Sequence, residues 1–312
     1  MSDLAIYKLI KLLVFAMGRL PQGVLKYMSD SLAMIWFLID KRHRKVVMDN
    51  IRCAYPERYP DDRSARRFAK RNFKHTVSIA FDVIWSYSKT PEELYTSFDI
   101  RGWENLEAAM AKGRGMIGLT CHMGVFELLV VPASMKGAHP YVLYRTIDFA
   151  PLERLTREMR GRFGAELIPL RKASDRMARM LKNGDIVATL LDQNVDWYKG
   201  AFVDFYGRPA CTNNGLAKLA MKTRAPVVPA FIMKEKNAEN KTRYVLSLFP
   251  EVPLQDTGDR IKDIENNTQN YVKAIEFMVR HAPEQYFWVH NRWKTKSYCL
   301  LKDRPDNWRT YR

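Results

Sequence analysis

Along this chain the apolar positions are densest at the start and then settle into short runs separated by amphipathic stretches. Residues 4–39 are the most apolar part, yet charges interrupt them before any run reaches the ~18–20 residues of a spanning helix. Lys8 and Lys11 break the first stretch, Pro21 and Gln22 close it, and Lys26 and Asp30 interrupt the next. On a helical wheel Lys8, Lys11 and Arg19 share a narrow arc, while Leu4, Ile6, Leu9, Leu13, Val14 and Met17 occupy the rest. That pattern predicts a helix lying in a membrane interface, its basic face toward anionic head groups. A second apolar piece, Leu32 to Ile39, runs directly into Lys41-Arg42-His43-Arg44-Lys45, a placement that suits a negatively charged cytoplasmic leaflet. No small-residue cleavage site follows, which argues against a removed signal peptide. The expectation is a membrane-associating helical segment over 1–40, peripheral or a single anchor, followed by a body over 41–312 that folds without it.

Beyond residue 60 the rhythm changes. Asp61 to Ser86 reads as one amphipathic helix with a basic face of Arg63, Arg66, Arg67, Lys70, Arg71 and Lys74. Strands are predicted at 116–120, 141–144, 167–170, 186–191 and 227–232, with one more at 244–249. Between them helices are expected near 125–135, 152–162, 174–182 and 214–222, and a last one over 264–281. Alternation of this kind predicts an α/β fold, a mainly parallel central sheet flanked by helices. Loops that follow parallel strands gather at one end of such a sheet, where sites form.

Composition narrows the class. Hydrophobic residues make up 47% of the chain and aromatics 12%, which excludes a disordered protein. Charges recur throughout, so a polytopic membrane protein is excluded as well. Cys53, Cys121, Cys211 and Cys299 have no metal-ligand spacing and read as free thiols in a reducing compartment, with no metal site expected. The 51 Lys+Arg against 34 Asp+Glu leave a net charge of +17, which calls for an acidic partner: nucleic acid, an anionic membrane, or an acidic protein or substrate. Nucleic acid would account for the charge but not for the apolar N-terminus, and no nucleic-acid motif is present.

The candidate chemistry centres on His122, directly after the apolar run 116–120, with Glu127 five residues later. On a continuous helix that pair would point about 140° apart. A turn at Gly124 removes the objection, and the Glu127 carboxylate is then expected to accept from one imidazole nitrogen, leaving the other free as a base. That is the base and orienter of a triad without its nucleophile, so the activated hydroxyl must belong to the substrate. Cys121 points to the opposite face of an extended strand.

The H-x4-E pattern after a buried strand, in a basic chain of this size, resembles the lysophospholipid acyltransferase superfamily. Within it, the chain is similar to the late acyltransferases of lipid A biosynthesis. The likeness runs through Arg44-Lys45-Val46-Val47, Asn50-Ile51 and Tyr55-Pro56-Glu57, then Tyr144-Arg145 and Asp192-Gln193-Asn194. Phe205-Tyr206-Gly207 with Ala210 and Thr212 follows, then Ala225-Pro226-Val227-Val228-Pro229. Ala282-Pro283-Glu284-Gln285-Tyr286 and Trp288 through Lys294 close it.

The resemblance implies transfer of an acyl chain from acyl-acyl carrier protein to a hydroxyl of a lipid A precursor, with no cofactor and no acyl-enzyme. His122 and Glu127 would be the catalytic pair. Arg145, or backbone N–H groups at the helix start after His122, would meet the developing oxyanion. Asp192, a carboxylate at the end of the most apolar strand, is expected to support Arg145, shape the acceptor site or cap its loop. Arg292 is a candidate for a lipid phosphate; the role of His290 stays open. The basic residues Arg154, Arg157, Arg160, Arg162, Arg171, Lys172, Arg176, Arg179 and Lys182 would receive the acidic carrier. The expected location is the cytoplasmic face of the inner membrane. The competing readings are an acyltransferase of the same fold acting on another glycolipid, phospholipid or aminolipid with acyl-CoA, a hydrolase, and a lipid-binding relative without turnover.

Overall fold

Four long helices come first: α1 (Asp3–Gly18), α2 (Gln22–Ile39), α3 (Lys41–Ala54) and α4 (Asp62–Tyr87). The structure, a computed structural model, describes residues 2–170 and 173–297. After α5 (Pro91–Tyr95), β1 (Phe98–Arg101) and α6 (Trp103–Met110), the chain enters β2 (Met116–Thr120), α7 (Val130–Met135) and β3 (Tyr141–Tyr144). It continues through α8 (Ala150–Gly161), β4 (Glu166–Pro169), α9 (Ala173–Lys182) and β5 (Ile186–Leu190). A hairpin, β6 (Gly200–Phe205) and β7 (Arg208–Asn213), leads to α10 (Gly215–Thr223), β8 (Val227–Lys236), β9 (Thr242–Leu248) and α11 (Arg260–His281).

Seven strands form one sheet in the order β1-β9-β8-β2-β5-β3-β4. Pairing is parallel everywhere except between β8 and β9. The mainly parallel α/β expectation therefore holds, and β2 lies at the positions the apolar run marked. The start of β2 is buried at every residue, which is why it reads as an unbroken apolar run. Several elements escape the sequence pattern, helices α3, α5 and α6 among them. β1 has only four residues, with one buried. The β6–β7 hairpin forms its own two-stranded sheet. The helix expected from Val125 is a 3-10 turn over Phe126–Leu128, followed by α7.

The N-terminal helices are seated on this body. Both pack on α4, and α1 also packs on α8. Leu25 and Phe37 of α2 are buried, and Phe37 joins the core formed by the sheet, α4 and α11. The predicted basic face of α1 is turned differently. Lys11 points inward, 2.5 Å from Glu158 of α8, and that carboxylate also accepts from Tyr7 and Tyr87. An ion pair with a partner on α8 is a better place for this ammonium than an outward arc shared with Lys8. The outward face carries Leu4, Leu9, Leu12, Leu13 and Phe15 of α1 and Tyr27, Leu32, Ile35, Leu38 and Ile39 of α2. Among the described residues, no helix is long and apolar enough to cross a membrane.

Candidate active site

Two neighbouring parallel strands define the site. Thr120 of β2 is in register with Leu190 of β5, and the two strands end there. His122 and Asp192 therefore stand at equivalent positions, each two residues beyond its strand, on the edge where the loops gather. The imidazole Nδ1 lies 2.9 Å from Asp192 Oδ1, and the His122 backbone N–H donates to Oδ2 at 3.1 Å. Asp192 is only 4% exposed, and His122 contacts both of its carboxylate oxygens.

This differs from the expected partnership. Glu127 does not take the ring nitrogen. It accepts two parallel hydrogen bonds from Arg160, at 2.8 and 2.7 Å. The five-residue spacing does bring it near His122, where its charge acts on the ring through space. A bidentate guanidinium pair is the stronger competitor for both oxygens.

The turn between them is fixed by its backbone. Gly124 has φ +60°, and a Cβ there would sit 1.7 Å from the Ile232 carbonyl oxygen. The N–H groups of Met123, Gly124 and Val125 donate to the carbonyls of Cys121, Gln285 and Ile232. These three amides are thus committed internally and are not free to receive an oxyanion. Phe287 donates to the His122 carbonyl at 2.9 Å, so the C-terminal segment clamps the turn from the other side.

Electrostatics follow from the pair. Burial works against a charged His122 ring, but the Asp192 charge, its hydrogen bond and the Glu127 charge outweigh burial and raise the ring's pKa above its ordinary value. Burial would raise the Asp192 pKa; the imidazole and the two hydrogen bonds from His122 hold it below the usual carboxylate range instead. With its proton on Nδ1 facing the carboxylate, the ring leaves Nε2 unprotonated and reachable. The Gln193 side-chain amide approaches it, at 3.4 Å. Cys121 is fully buried, and burial with the Asp192 charge pushes its thiol pKa well up, which leaves no thiolate beside the histidine.

His122 opens onto a cavity of about 350 Å³. Its walls are apolar at Phe126, Leu129, Val142, Leu143, Leu167 and Leu190 and polar at Glu127, Arg160, Arg145 and Gln193. Arg145, directly after β3, is exposed at this cavity and does not pair with Asp192. Arg292 does not take the lipid-facing position expected of it. It is 1% exposed and donates to the Cys211 carbonyl at 3.1 Å and to the Thr212 hydroxyl, over the Phe205 ring. A guanidinium enclosed in this way holds the β6–β7 hairpin to the C-terminal segment and cannot meet a lipid phosphate. Burial also pushes the His290 pKa down to about 4, and its Nε2 accepts the Asn194 N–H at 2.8 Å. His290 thus pins the loop that carries Asp192.

The expected basic stretch is divided by the fold. Arg160 serves Glu127, and Arg162 donates to the carbonyls of Ser86, Tyr87 and Lys89 at the end of α4. Arg154, Arg157, Arg176, Arg179 and Lys182 remain exposed. Arg171 and Lys172 lie outside the described residues, as does Cys299.

The sequence signal that was missed is positional. Asp192 and His122 each follow an unbroken apolar strand by one or two residues, so pairing those strands would have placed them side by side.

Comparison with known proteins gives the family of the chain. The family described as bacterial lipid A biosynthesis acyltransferase matches residues 3–295. The chain is 25% identical over 280 residues to the lipid A biosynthesis lauroyltransferase of Escherichia coli K12, covering 89% of this chain and 88% of the relative. It is 23% identical to the lipid A biosynthesis palmitoleoyltransferase of the same organism, covering 89% and 87%. A Haemophilus influenzae lipid A biosynthesis acyltransferase is 23% identical, covering 82% and 77%. The chain belongs to the bacterial lipid A biosynthesis acyltransferase family, and it is an acyltransferase.

Proposed function

We propose that the protein transfers a fatty acyl chain from acyl-acyl carrier protein to a hydroxyl of a lipid A precursor, directly and without an acyl-enzyme. The observation that carries the reading is the imidazole held at Nδ1 by Asp192, beside a cavity lined by apolar side chains together with Arg145 and Arg160. His122 Nε2 takes the proton of the acceptor hydroxyl as its oxygen bonds to the thioester carbonyl carbon. The tetrahedral oxyanion then collapses, the C–S bond breaks, and the imidazolium returns its proton to the leaving thiolate. General-base help of this kind is worth ~10²–10⁴-fold. Arg145, exposed at the cavity, meets the oxyanion. Asp192 is the positioning residue, and Glu127 fixes Arg160 in the cavity wall while adding its charge to the stabilisation of the imidazolium. The apolar walls take the acyl chain.

The outward apolar faces of α1 and α2 support peripheral contact with the cytoplasmic face of the inner membrane, since exposed apolar patches of this extent mark interaction sites. The exposed arginines of α8 and α9 suit an acidic carrier.

Purified protein incubated with acyl-carrier protein or acyl-CoA, with and without a lipid A precursor, tests the reading by product mass. A mass gain of one acyl chain on the precursor, only when both substrates are present and faster with the carrier, is expected. Free fatty acid released at the same rate without acceptor would identify a hydrolase. Preference for acyl-CoA would favour the same-fold alternative.

A further inference from the structure

A second cavity, of about 510 Å³, lies between the N-terminal half of α2, the middle of α4 and the β8–β9 hairpin. None of its wall residues belongs to the wall of the His122 cavity. Five cations line it (Lys26, Arg71, Lys74, Lys234 and Lys236) against two carboxylates, Asp30 and Asp82. The carboxylates are already used. Asp30 Oδ2 is shared by Lys26 at 2.8 Å and Lys74 at 3.0 Å, and Asp82 pairs with Lys234 and accepts from Tyr244 at 2.9 Å. Lys236 donates to two neutral oxygens, the Asn240 carbonyl and the Thr242 hydroxyl. His75, also in the wall, adds no charge, because burial and the nearby Lys234 lower its pKa to about 3. Ser29 is 2% exposed, and its hydroxyl has no hydrogen-bond partner. Arg71 is paired with Glu284 at 2.7 Å, outside the wall; five cations against these three carboxylates leave a surplus of two positive charges, and the cavity carries an unsatisfied hydroxyl.

The rest of the wall is apolar. Leu25, Phe81 and Trp85 line it, with Trp85 stacked on Tyr244 at 5.9 Å. Beside the lining residues Gly23, Leu25 and Lys26, the same helix turns Val24 and Tyr27 to the outside. A ligand that fits both parts carries an anionic phosphate at one end and an apolar chain at the other. We propose that this cavity is a second site, separate from the acyl-transfer centre, for the phosphate group of an anionic amphiphile, with its chain leaving along the apolar face of α2. The site also touches the catalytic turn, because His75 Nε2 lies 3.2 Å from the Gly124 carbonyl oxygen.

The test is native mass spectrometry and thermal shift on the full chain, titrated with dihexanoyl phosphatidylglycerol, dihexanoyl phosphatidylcholine, a lipid A precursor and inorganic phosphate. The expected result is saturable binding of phosphatidylglycerol, weaker binding of the zwitterionic lipid, and a roughly tenfold loss in Lys74→Gln/Lys236→Gln, the size expected of two solvent-screened charges. Arg145→Gln, in the other cavity, should bind phosphatidylglycerol as the parent does. If the double variant fails to fold, Lys236→Gln alone serves, since that side chain bonds only within its own hairpin. A lipid A precursor that binds and loses affinity in the same variant would identify the acceptor as the source of the phosphate; binding of phosphatidylglycerol alone would identify the bilayer. Equal binding of the two short-chain phospholipids would overturn the proposal. So would loss in Arg145→Gln with retention in the lysine variant, or binding of inorganic phosphate as tight as that of the lipid.

Discussion

Replacing Asp192 by Asn should cost activity out of proportion to its size, because the carboxylate accepts twice. Oδ1 takes the ring Nδ1–H and Oδ2 takes the backbone N–H of the same histidine. A carboxamide has one acceptor. If its oxygen keeps the backbone N–H, its NH₂ faces Nδ1, which must then accept, and the ring proton moves to Nε2. That tautomer has no lone pair for the acceptor hydroxyl. In the other rotamer the NH₂ opposes the backbone N–H, leaving a buried donor unsatisfied at a cost of about 1–3 kcal/mol. The inactive tautomer is therefore the favoured one, and the loss in kcat/KM should be ~10²–10⁴-fold, the range of a misoriented general base.

The pH profile supplies a second readout. The base must be neutral, so kcat/KM rises as pH passes the His122 pKa, which lies above the ordinary histidine value. Removing the Asp192 charge removes the largest favourable influence on that pKa, and the rising limb should move to lower pH while its plateau falls. The same pair links pH to stability. A ring pKa raised in the folded state contributes stability that is complete below the unfolded pKa and is lost as pH rises through the folded one. Initial rates at subsaturating lipid acceptor, with circular dichroism and melting to confirm folding, measure both effects. A folded Asp192→Asn protein with the parental plateau and an unmoved limb would refute the assignment. If Glu127→Gln moved the limb instead, Glu127 would be the ring's partner after all.

Glu127→Gln should break the bidentate pair with Arg160 and lower stability by about 1.5–3 kcal/mol, the scale of hydrogen bonds to a charged group, with a melting curve as the measure. Gly124→Ala should fold poorly or not at all, since its Cβ meets the backbone of β8 and its φ is positive; soluble yield and melting temperature report this. Deleting residues 1–39 removes buried Tyr7, Leu25 and Phe37, each worth about 1.5–3 kcal/mol, which together approach the stability of a whole domain; limited proteolysis should find the remainder unfolded. The outward substitutions Leu12→Lys and Leu38→Lys should instead leave melting unchanged and weaken flotation with anionic vesicles. Charge reversal at Arg157 and Arg176, both exposed, should raise the KM for acyl-carrier protein at low salt, with little effect at high salt or on kcat.

The sheet was legible because its central strands are buried on both faces, so their apolar runs are unbroken and their ends are sharp. β1 and the β6–β7 hairpin were not, because short, half-exposed strands carry no such signal. At the site, His122 was legible by its position after β2. Its partner was not, because local spacing favours Glu127, whereas the contact with Asp192 exists only once β2 and β5 are in register. Arg145 reaches the cavity as expected. Arg292 was misread, since a basic residue between two tryptophan-containing segments gives no sign in sequence that it is enclosed. The inward turn of Lys11 was equally hidden, since the Glu158 that draws it lies on a helix 147 residues away.

The segments that carry the family likeness meet behind the histidine. Asn50 of α3 donates to the carbonyls of Trp288 and His290, both at 2.8 Å. His290 accepts from Asn194, Arg292 holds Thr212, and the Tyr55 hydroxyl lies 2.7 Å from that of Tyr206. Asn72 of α4 holds the carbonyls of Glu284 and Tyr286, next to the residue that clamps the His122 carbonyl. Each contact joins segments distant in sequence, and together they fix the ends of β2 and β5 to a hydrogen bond's tolerance. The apolar walls of the cavity come mostly from elsewhere, from β3, β4 and the 3-10 turn after Gly124.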